Sequence, residues 1–310
     1  MQRCLLVGGA GFIGSNLAKC LYKYGYDVTI FDLASGMQRI QGISGAKCIE
    51  GNYFENGIPD EIIEQQDTIF LLACSVGPQT SMMEPQNCYQ QDVVCMIKLL
   101  EQMRRYQVKR LVLISSGGTI YGNHSEKKLS EDMDTSPINH YGIMKLAQEK
   151  ILMMYNQLYK MRNVGFRLAN PYGPGQREAS GIGAVTNFLY KILNDEKICL
   201  FGTGENVRDY IYIDDVSEMI YRYLRSDCHD ENRAIYNIGT GQGESLLTVI
   251  KIIERITGKE AHIVYEKERD FDVISNILET KKIEKVIGNY RRRSIEIGIK
   301  QYIKDLESNC

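Results

Sequence analysis

Tyr141 and Lys145 are the pair whose types and spacing could do chemistry most directly. Four residues apart in a helix-compatible stretch running to about Lys160, their phenol and ammonium share one helical face. A cation at that distance favours phenolate, so Tyr141 can act as a general base toward a hydroxyl near neutral pH. A second constellation lies near the start of the chain. An apolar run leads into Gly8, Gly11 and Gly14, with Phe12 and Ile13 between the last two and a helix-compatible stretch after them. Bare N–H groups at a helix N-terminus, where the dipole favours an anion, suit a pyrophosphate. A Cβ at Gly8 or Gly11 is expected to hold the phosphates off, and Gly14 is expected to let the helix pack closely on the strand. Residues 27–32 read as the next strand and end in Asp32. An acid about 20 residues beyond such glycines can accept from both ribose hydroxyls and repels a 2′-phosphate. The cofactor expected is therefore NAD rather than NADP.

These groups need elements to hold them. Residues 47–50, 68–73, 110–115 and 163–168 read as further strands, and an apolar-periodic helix over about 89–106 shows Val93, Ile97 and Leu100 on one face. Strands alternating with helices make a doubly wound parallel sheet that takes ligands at the carboxyl ends of its strands. The segments at those ends are residues 8–14, Asp32, the stretch Leu72, Ala73, Cys74 and Ser75, and the loop from Ser115 to Tyr121. The chain of 310 residues has 37 Lys+Arg against 39 Asp+Glu, so it presents no overall basic field for nucleic acid. An anionic ligand must be met by local arginines instead. The 9 cysteines show no metal-ligand spacing and are odd in number. Reduced thiols in a cytoplasm are expected. No apolar run reaches the ~20 residues of a membrane span.

Taken together, the motifs resemble those of the extended short-chain dehydrogenase/reductase family, in particular its nucleotide-sugar epimerases and dehydratases. The resemblance rests on the glycine triplet, Asp32, Tyr141 with Lys145, Asn170-Pro171-Tyr172-Gly173-Pro174-Gly175-Gln176, and Arg208-Asp209-Tyr210-Ile211-Tyr212-Ile213-Asp214-Asp215, in that order. It implies a Rossmann-type α/β fold with NAD bound to residues 1–170, to which 209–240 return. A smaller C-terminal α/β substrate domain would comprise 171–208 and 241–310. It also implies a nucleotide-sugar substrate, with a UDP-sugar favoured, and a homodimer. Asn170, Arg208 and Arg269 match the positions that contact the nucleotide diphosphate, whereas Arg167 and the run Arg291-Arg292-Arg293 read as structural or surface ion pairs. Asn276 matches the position of the side chain that excludes N-acetyl sugars.

Four positions depart from the family pattern. Asn52 stands where an Asp commonly holds the adenine amine, and is expected to keep that hydrogen bond as a weaker acceptor. Asp92 stands where an Asn is common, behind the nicotinamide site, and Cys74 replaces a small residue. Gly117 occupies the place of the usual catalytic Ser or Thr. Ser116 and Thr119 are the neighbours able to supply the hydroxyl; in an extended loop Thr119 shares the side of residue 117 and Ser116 faces away, which favours Thr119. The activity expected is inversion at carbon 4 of a UDP-hexose or UDP-N-acetylhexosamine. A 4,6-dehydratase would carry Asp-Glu where Gly118-Thr119 stand, a decarboxylase would keep a Glu in that loop, and an NADP-dependent ketoreductase fits poorly with Asp32. A non-catalytic NAD or sugar-nucleotide binder is the reading from another class, and retention of Tyr141 and Lys145 argues against it.

Overall fold

In the computed structural model, residues 1–37, 40, 45–124, 127–177, 183–226, 234–267 and 273–308 are described. Its centre is a seven-stranded sheet built from β1 (Arg3–Val7), β2 (Asp27–Asp32), β3 (Lys47–Glu50), β4 (Thr68–Leu71), β5 (Arg110–Ser116), β6 (Val164–Leu168) and β7 (Ile235–Ile238). The strand order is β7-β6-β5-β4-β1-β2-β3, and every pairing is parallel. The interior strands are buried and mainly apolar because helices cover both faces. The chain winds outward from β1 through β3, then crosses back to lay β4 on the other side of β1. That reversal opens a crevice at the strands' carboxyl ends. Val7 pairs with Phe31 on one side and Leu71 on the other, so Gly8, Asp32 and Leu72 emerge on one level.

α1 (Phe12–Lys23) follows the glycine turn; α2 (Val94–Arg105) and α3 (His140–Tyr159) follow β4 and β5. α2 shows only part of the face expected of it. Cys95, Met96, Leu99, Leu100 and Met103 are buried, whereas Val93 and Ile97 are only partly so. Leu100 lies on the buried face as expected, and a π-turn, Cys88–Val93, continues directly into α2. Its i→i+5 bonding adds a residue to the turn and rotates the helix that follows.

A second core gathers Tyr172, Phe188, Ile192, Ile198, Leu200, Ile250, Ile253, Ile299 and Tyr302. It is formed around α4 (Ala184–Leu193), the parallel pair Lys197–Phe201 and His262–Glu266, α6 (Leu246–Thr257) and α7 (Ile295–Ser308). The intervening α5 (Ile213–Arg225) packs beside α1 on the first core. Lys281–Ile287, from the stretch expected in the second unit, also sends Ile283 and Ile287 into the first core. Seven described cysteines are free, and no helix among the described residues is long and apolar enough to cross a membrane.

Candidate functional site

The glycine turn is shaped by two different demands. Gly8 has φ +79°, and a Cβ on it would lie 2.5 Å from the Ala73 nitrogen. Its lack of a side chain is thus required where the end of β1 meets Ala73 after β4. Gly11 is the reverse: a Cβ there would approach only Gly8 O, at 3.4 Å. Gly11 is also the N-cap of α1 and contributes no side-chain cap, so the helix N-terminus opens on that space. At Gly14 a Cβ would strike Gly9 Cα at 2.6 Å, so the close packing expected there occurs against the turn itself. Phe12 and Ile13, both half-buried, complete the first turn. Asp32 Oδ2 accepts from Ala10 N (2.8 Å) and Oδ1 from Leu33 N (2.7 Å). The aspartate thus ties the glycine turn to the β2 end, and each oxygen keeps a lone pair for a ribose hydroxyl. An open helix N-terminus beside such an acid fits a dinucleotide.

Asn52 does not offer the acceptor expected of it. Its Oδ1 caps the helix Tyr53–Asn56, accepting from Phe54 N at 3.1 Å and Glu55 N at 3.4 Å. What it can present to an adenine is its amide N–H₂, a donor. After β4, the N–H groups of Leu72 and Ala73 both donate to Val7 O at 2.9 Å, closing the floor between the two strands. Cys74 opens on the cleft; its thiol donates to Val76 O at 3.2 Å. Although the residue reaches the surface, the protein packed around the cleft floor desolvates that thiol and pushes it up to about 11, against the opposing charge of Lys145. Asp92, 2% exposed, accepts from Ser75 N at 3.1 Å and from the Ser75 hydroxyl.

α3 is started by two caps that fix Tyr141. Asn139 Oδ1 accepts from Gly142 N at 2.8 Å, and Ser81 Oγ from Tyr141 N at 3.1 Å. One turn on, Lys145 is 4% exposed; its Nζ donates to Ile114 O (3.1 Å) and lies 5.6 Å from the centre of the Tyr141 ring. Sequence spacing and structure agree on the placement of this pair, but at the phenol burial outweighs the cation. Burial raises the Tyr141 phenol to about 12; Lys145 pulls it down, while Cys74 and Asp92 add to the rise. For Lys145, burial lowers the ammonium, but Cys74, Tyr141 and Asp92 outweigh it and the net direction is upward.

The loop after β5 is where the structure departs furthest from expectation. Ser115 was expected at the cofactor, but its hydroxyl donates to Glu149 Oε1 at 2.6 Å inside the protein. Strand alternation turns it inward, and Glu149 in turn holds Arg167 in a two-pronged pair (3.0 and 2.8 Å). Arg167 is thus the structural ion pair its sequence position indicates; its guanidinium stacks on Tyr121, whose hydroxyl donates to Asn237 Oδ1 at 2.7 Å. Ser116 and Thr119 were expected on opposite sides. Residues 117–119 turn instead of continuing the strand, and Thr119 Oγ1 donates to Ser116 Oγ at 3.0 Å. Gly117 N donates to Leu168 O at 2.7 Å, and a Cβ on Gly117 would meet Leu278 Cδ1 at 2.6 Å. At Gly118 a Cβ would fit without a clash, in ordinary contact at 3.9 Å with both Ser116 Oγ and Asn170 Oδ1. Gly142 presses on the same loop, its Cβ position 2.7 Å from Thr119 O, so the start of α3 packs directly on the loop backbone.

On the substrate side, Asn170 Nδ2 donates to Asp209 O at 3.0 Å, leaving Oδ1 toward the space at Gly118. Arg208 pairs in register with Asn276, and its Nη1 donates to Val207 O at 2.9 Å. Asn276 is buried; its Nδ2 donates to Gly117 O at 2.9 Å while its Oδ1 is enclosed without a partner. Arg269 lies outside the described residues. Arg292 and Arg293 form ion pairs with Glu284 and Asp215, as a structural role requires. Sequence reasoning missed Ser81, Glu149 and Asn237. Of the helix-starting groups only Asn139, an N-cap residue just before the helix, carried a readable signal.

Among curated relatives, dTDP-4-dehydro-6-deoxyglucose reductase of Escherichia coli is 28% identical over 97% of this chain and 96% of its own. Among solved structures, UDP-glucose 4-epimerase of Thermotoga maritima, determined with UDP-glucose, superposes with a TM-score of 0.90 at 30% identity, covering 99% of each chain. UDP-glucose 4-epimerase of Thermus thermophilus, determined with NAD, gives 0.89 at 27% identity over 100% of each. Residues 4–239 match the family model, and the chain belongs to the NAD dependent epimerase/dehydratase family.

Proposed function

We propose that the protein is an NAD-dependent epimerase that inverts carbon 4 of a UDP-hexose or UDP-N-acetylhexosamine through a 4-keto intermediate. The observation that carries this reading is the Tyr141–Lys145 pair, held by caps at the start of α3 beside the open glycine turn. NAD held by Gly11, the first turn of α1 and Asp32 would supply reversible oxidation of the sugar carbon. Tyr141 takes the proton from the 4-hydroxyl, and Lys145 favours the phenolate that does so. The hydrogen-bonded hydroxyls of Thr119 and Ser116 hold the substrate oxygen. When the keto sugar turns its other face, Tyr141 returns the proton. Asn170 and Arg208, with Arg269 from outside the described residues, receive the diphosphate. Asn276 forms the wall at the sugar and is small enough for an N-acetyl group. The second core is the substrate-holding unit.

A homodimer is proposed from the apolar side chains that α2 and α3 leave at the surface, Val94, Ile143, Met154 and Leu158, the last 60% exposed. Free cysteines support a reducing, cytoplasmic setting. The test is incubation with UDP-glucose and with UDP-N-acetylglucosamine, followed by proton NMR of the anomeric region. The galacto epimers are expected without net consumption of NAD. The Escherichia coli relative supports a second reading, a 4-keto reductase; stoichiometric loss of added NADH with a 4-keto sugar, and no epimer, would establish that instead.

A further inference from the structure

Asp209 is the single residue between two short strands, Val207–Arg208 and Tyr210–Tyr212, and its main chain ties both to their neighbours. Its N–H donates to Asn276 O at 2.9 Å; its carbonyl accepts from Asn170 N at 2.9 Å and from Asn170 Nδ2 at 3.0 Å. The side chain is fully buried and receives donors on both oxygens. Oδ1 accepts from Thr240 N at 2.9 Å and from the Thr240 hydroxyl at 2.6 Å. Oδ2 accepts from Gly241 N at 3.0 Å and from Leu278 N at 3.4 Å. The turn after β7 lies so close that a Cβ on Gly239 would stand 2.5 Å from Oδ2. Among the described residues no cation pairs with this carboxylate, and a buried charge of this kind is costly unless hydrogen bonds satisfy it. The N–H groups that do so come from two segments far apart in the chain. One is the turn after β7; the other contains Leu278, whose side chain fills the place beside Gly117.

We propose that Asp209 is a positioning residue for the diphosphate half of the site, its carboxylate locking the turn after β7 and the Leu278 segment onto the strand that carries Arg208. Asn170 takes its orientation from the Asp209 carbonyl, Arg208 is the preceding residue, and Asn276 pairs with Arg208 in register. Both side chains assigned to the diphosphate are therefore hung on one buried residue. An amide cannot replace the carboxylate. Turned one way it presents its N–H₂ to Thr240 N, and turned the other way to Gly241 N and Leu278 N. Either way at least one buried N–H loses its acceptor. The functional consequence rests on Asn170 and Arg208 receiving the diphosphate, and UDP binding tests it without turnover.

The experiment is calorimetric titration of the full chain with NAD, and of the NAD-loaded protein with UDP. In Asp209→Asn the UDP affinity should fall by about tenfold, the size expected for one buried N–H left without its acceptor, while NAD affinity keeps its wild-type value. With UDP-glucose, KM should rise by a similar factor and kcat should change little. Thr240→Val removes only the hydroxyl donor and keeps the backbone bonds, so it is the variant to use if Asp209→Asn does not fold. It should weaken UDP binding by about threefold, and Thr240→Ser should restore it. A merely structural Asp209 would lower the melting temperature and leave both affinities in place, or would weaken UDP and NAD alike. Either result overturns the proposal, as does a Thr240→Val protein that binds UDP like wild type. Wild-type protein that binds no UDP sinks the diphosphate reading and the proposal together, whereas normal wild-type binding with unaffected variants sinks the proposal alone.

Discussion

Between β1 and α1 the side-chain position of Gly11 meets a single neighbour, Gly8 O at 3.4 Å, whereas after β5 that of Gly117 is already filled by Leu278. Both glycines stand at strand ends in one cleft, yet one marks room for a ligand and the other marks its absence. The glycine at 117 therefore does not open the site where a hydroxyl is expected. It accommodates a neighbour, and the hydroxyls move one residue back and two forward, to Ser116 and Thr119. The lesson is that a glycine at a functional position has to be read with whatever occupies the place its side chain would take.

If the chemistry stays with α3 while the loop only assists, the largest loss must come from the phenol. Tyr141→Phe should lower turnover by roughly 10²–10⁴, the usual worth of a general acid–base group, with melting temperature and NAD binding preserved. An unchanged rate in the NMR assay would move the base elsewhere and remove the reason for comparing the two turns.

The comparison itself is broken or kept by filling the two glycines. Gly11→Val should leave the fold intact and weaken NAD binding by about tenfold or more in calorimetry, because the added side chain projects where the pyrophosphate is held. Gly117→Ser should instead destabilise the protein by about 1–3 kcal/mol, the usual cost of overpacking, with no gain in turnover. The clash at Leu278 is the stated cause, so Leu278→Ala in the Gly117→Ser background should recover stability relative to the sum of the two single changes. A serine at 117 that raises activity without destabilising would show that Leu278 yields readily and that the loop is an ordinary one.

Ser116→Ala and Thr119→Ala come next, at about tenfold each in turnover. Since Thr119 donates to Ser116, the double variant should lose little more than either single one, as members of one hydrogen-bonded chain do. Multiplying losses would separate them into independent contacts.

How much of this was legible in the sequence follows the range of the interactions. The glycine turn, Asp32 and the Tyr141–Lys145 pair are set by local geometry, a tight βα turn, a strand end and one helical turn, and spacing alone places them. The inward turn of Ser115 was equally local, since it follows from strand alternation with buried neighbours on both sides. The side on which Ser116 lies was not, because it depends on residues 117–119 turning, and that turn is fixed by Leu168 and Leu278. Asn52 was read for the ligand it resembles, when its place ahead of a short helix made it a cap first. The face of α2 was only partly read: Leu100 belongs to it, but its centre runs through Met96, Leu99 and Met103.

The smallest expected effect probes the support behind the Gly117 loop. Glu131 Oε1 accepts from Asn237 N at 2.7 Å, and Asn237 receives the Tyr121 hydroxyl at the end of that loop. Burial raises the Glu131 carboxyl above its ordinary range, against the pull of the Asn237 N–H. A folded-state pKa above the unfolded one means that the folded protein binds the proton more tightly. The resulting stability is fully present below the ordinary carboxylate pKa and is lost as pH rises through the raised value. Glu131→Gln keeps the acceptor for Asn237 N but has no proton to lose. Relative to wild type it should therefore gain stability only as pH rises through and beyond that window, by about 1 kcal/mol at most, and show no gain at more acidic pH. Urea unfolding at pH 4 and pH 8 measures the difference. A gain at both values would assign it to packing rather than charge, and a loss at pH 8 would mean that the ionised carboxylate, through Asn237 and Tyr121, is itself what holds the loop in the turn that joins Ser116 to Thr119.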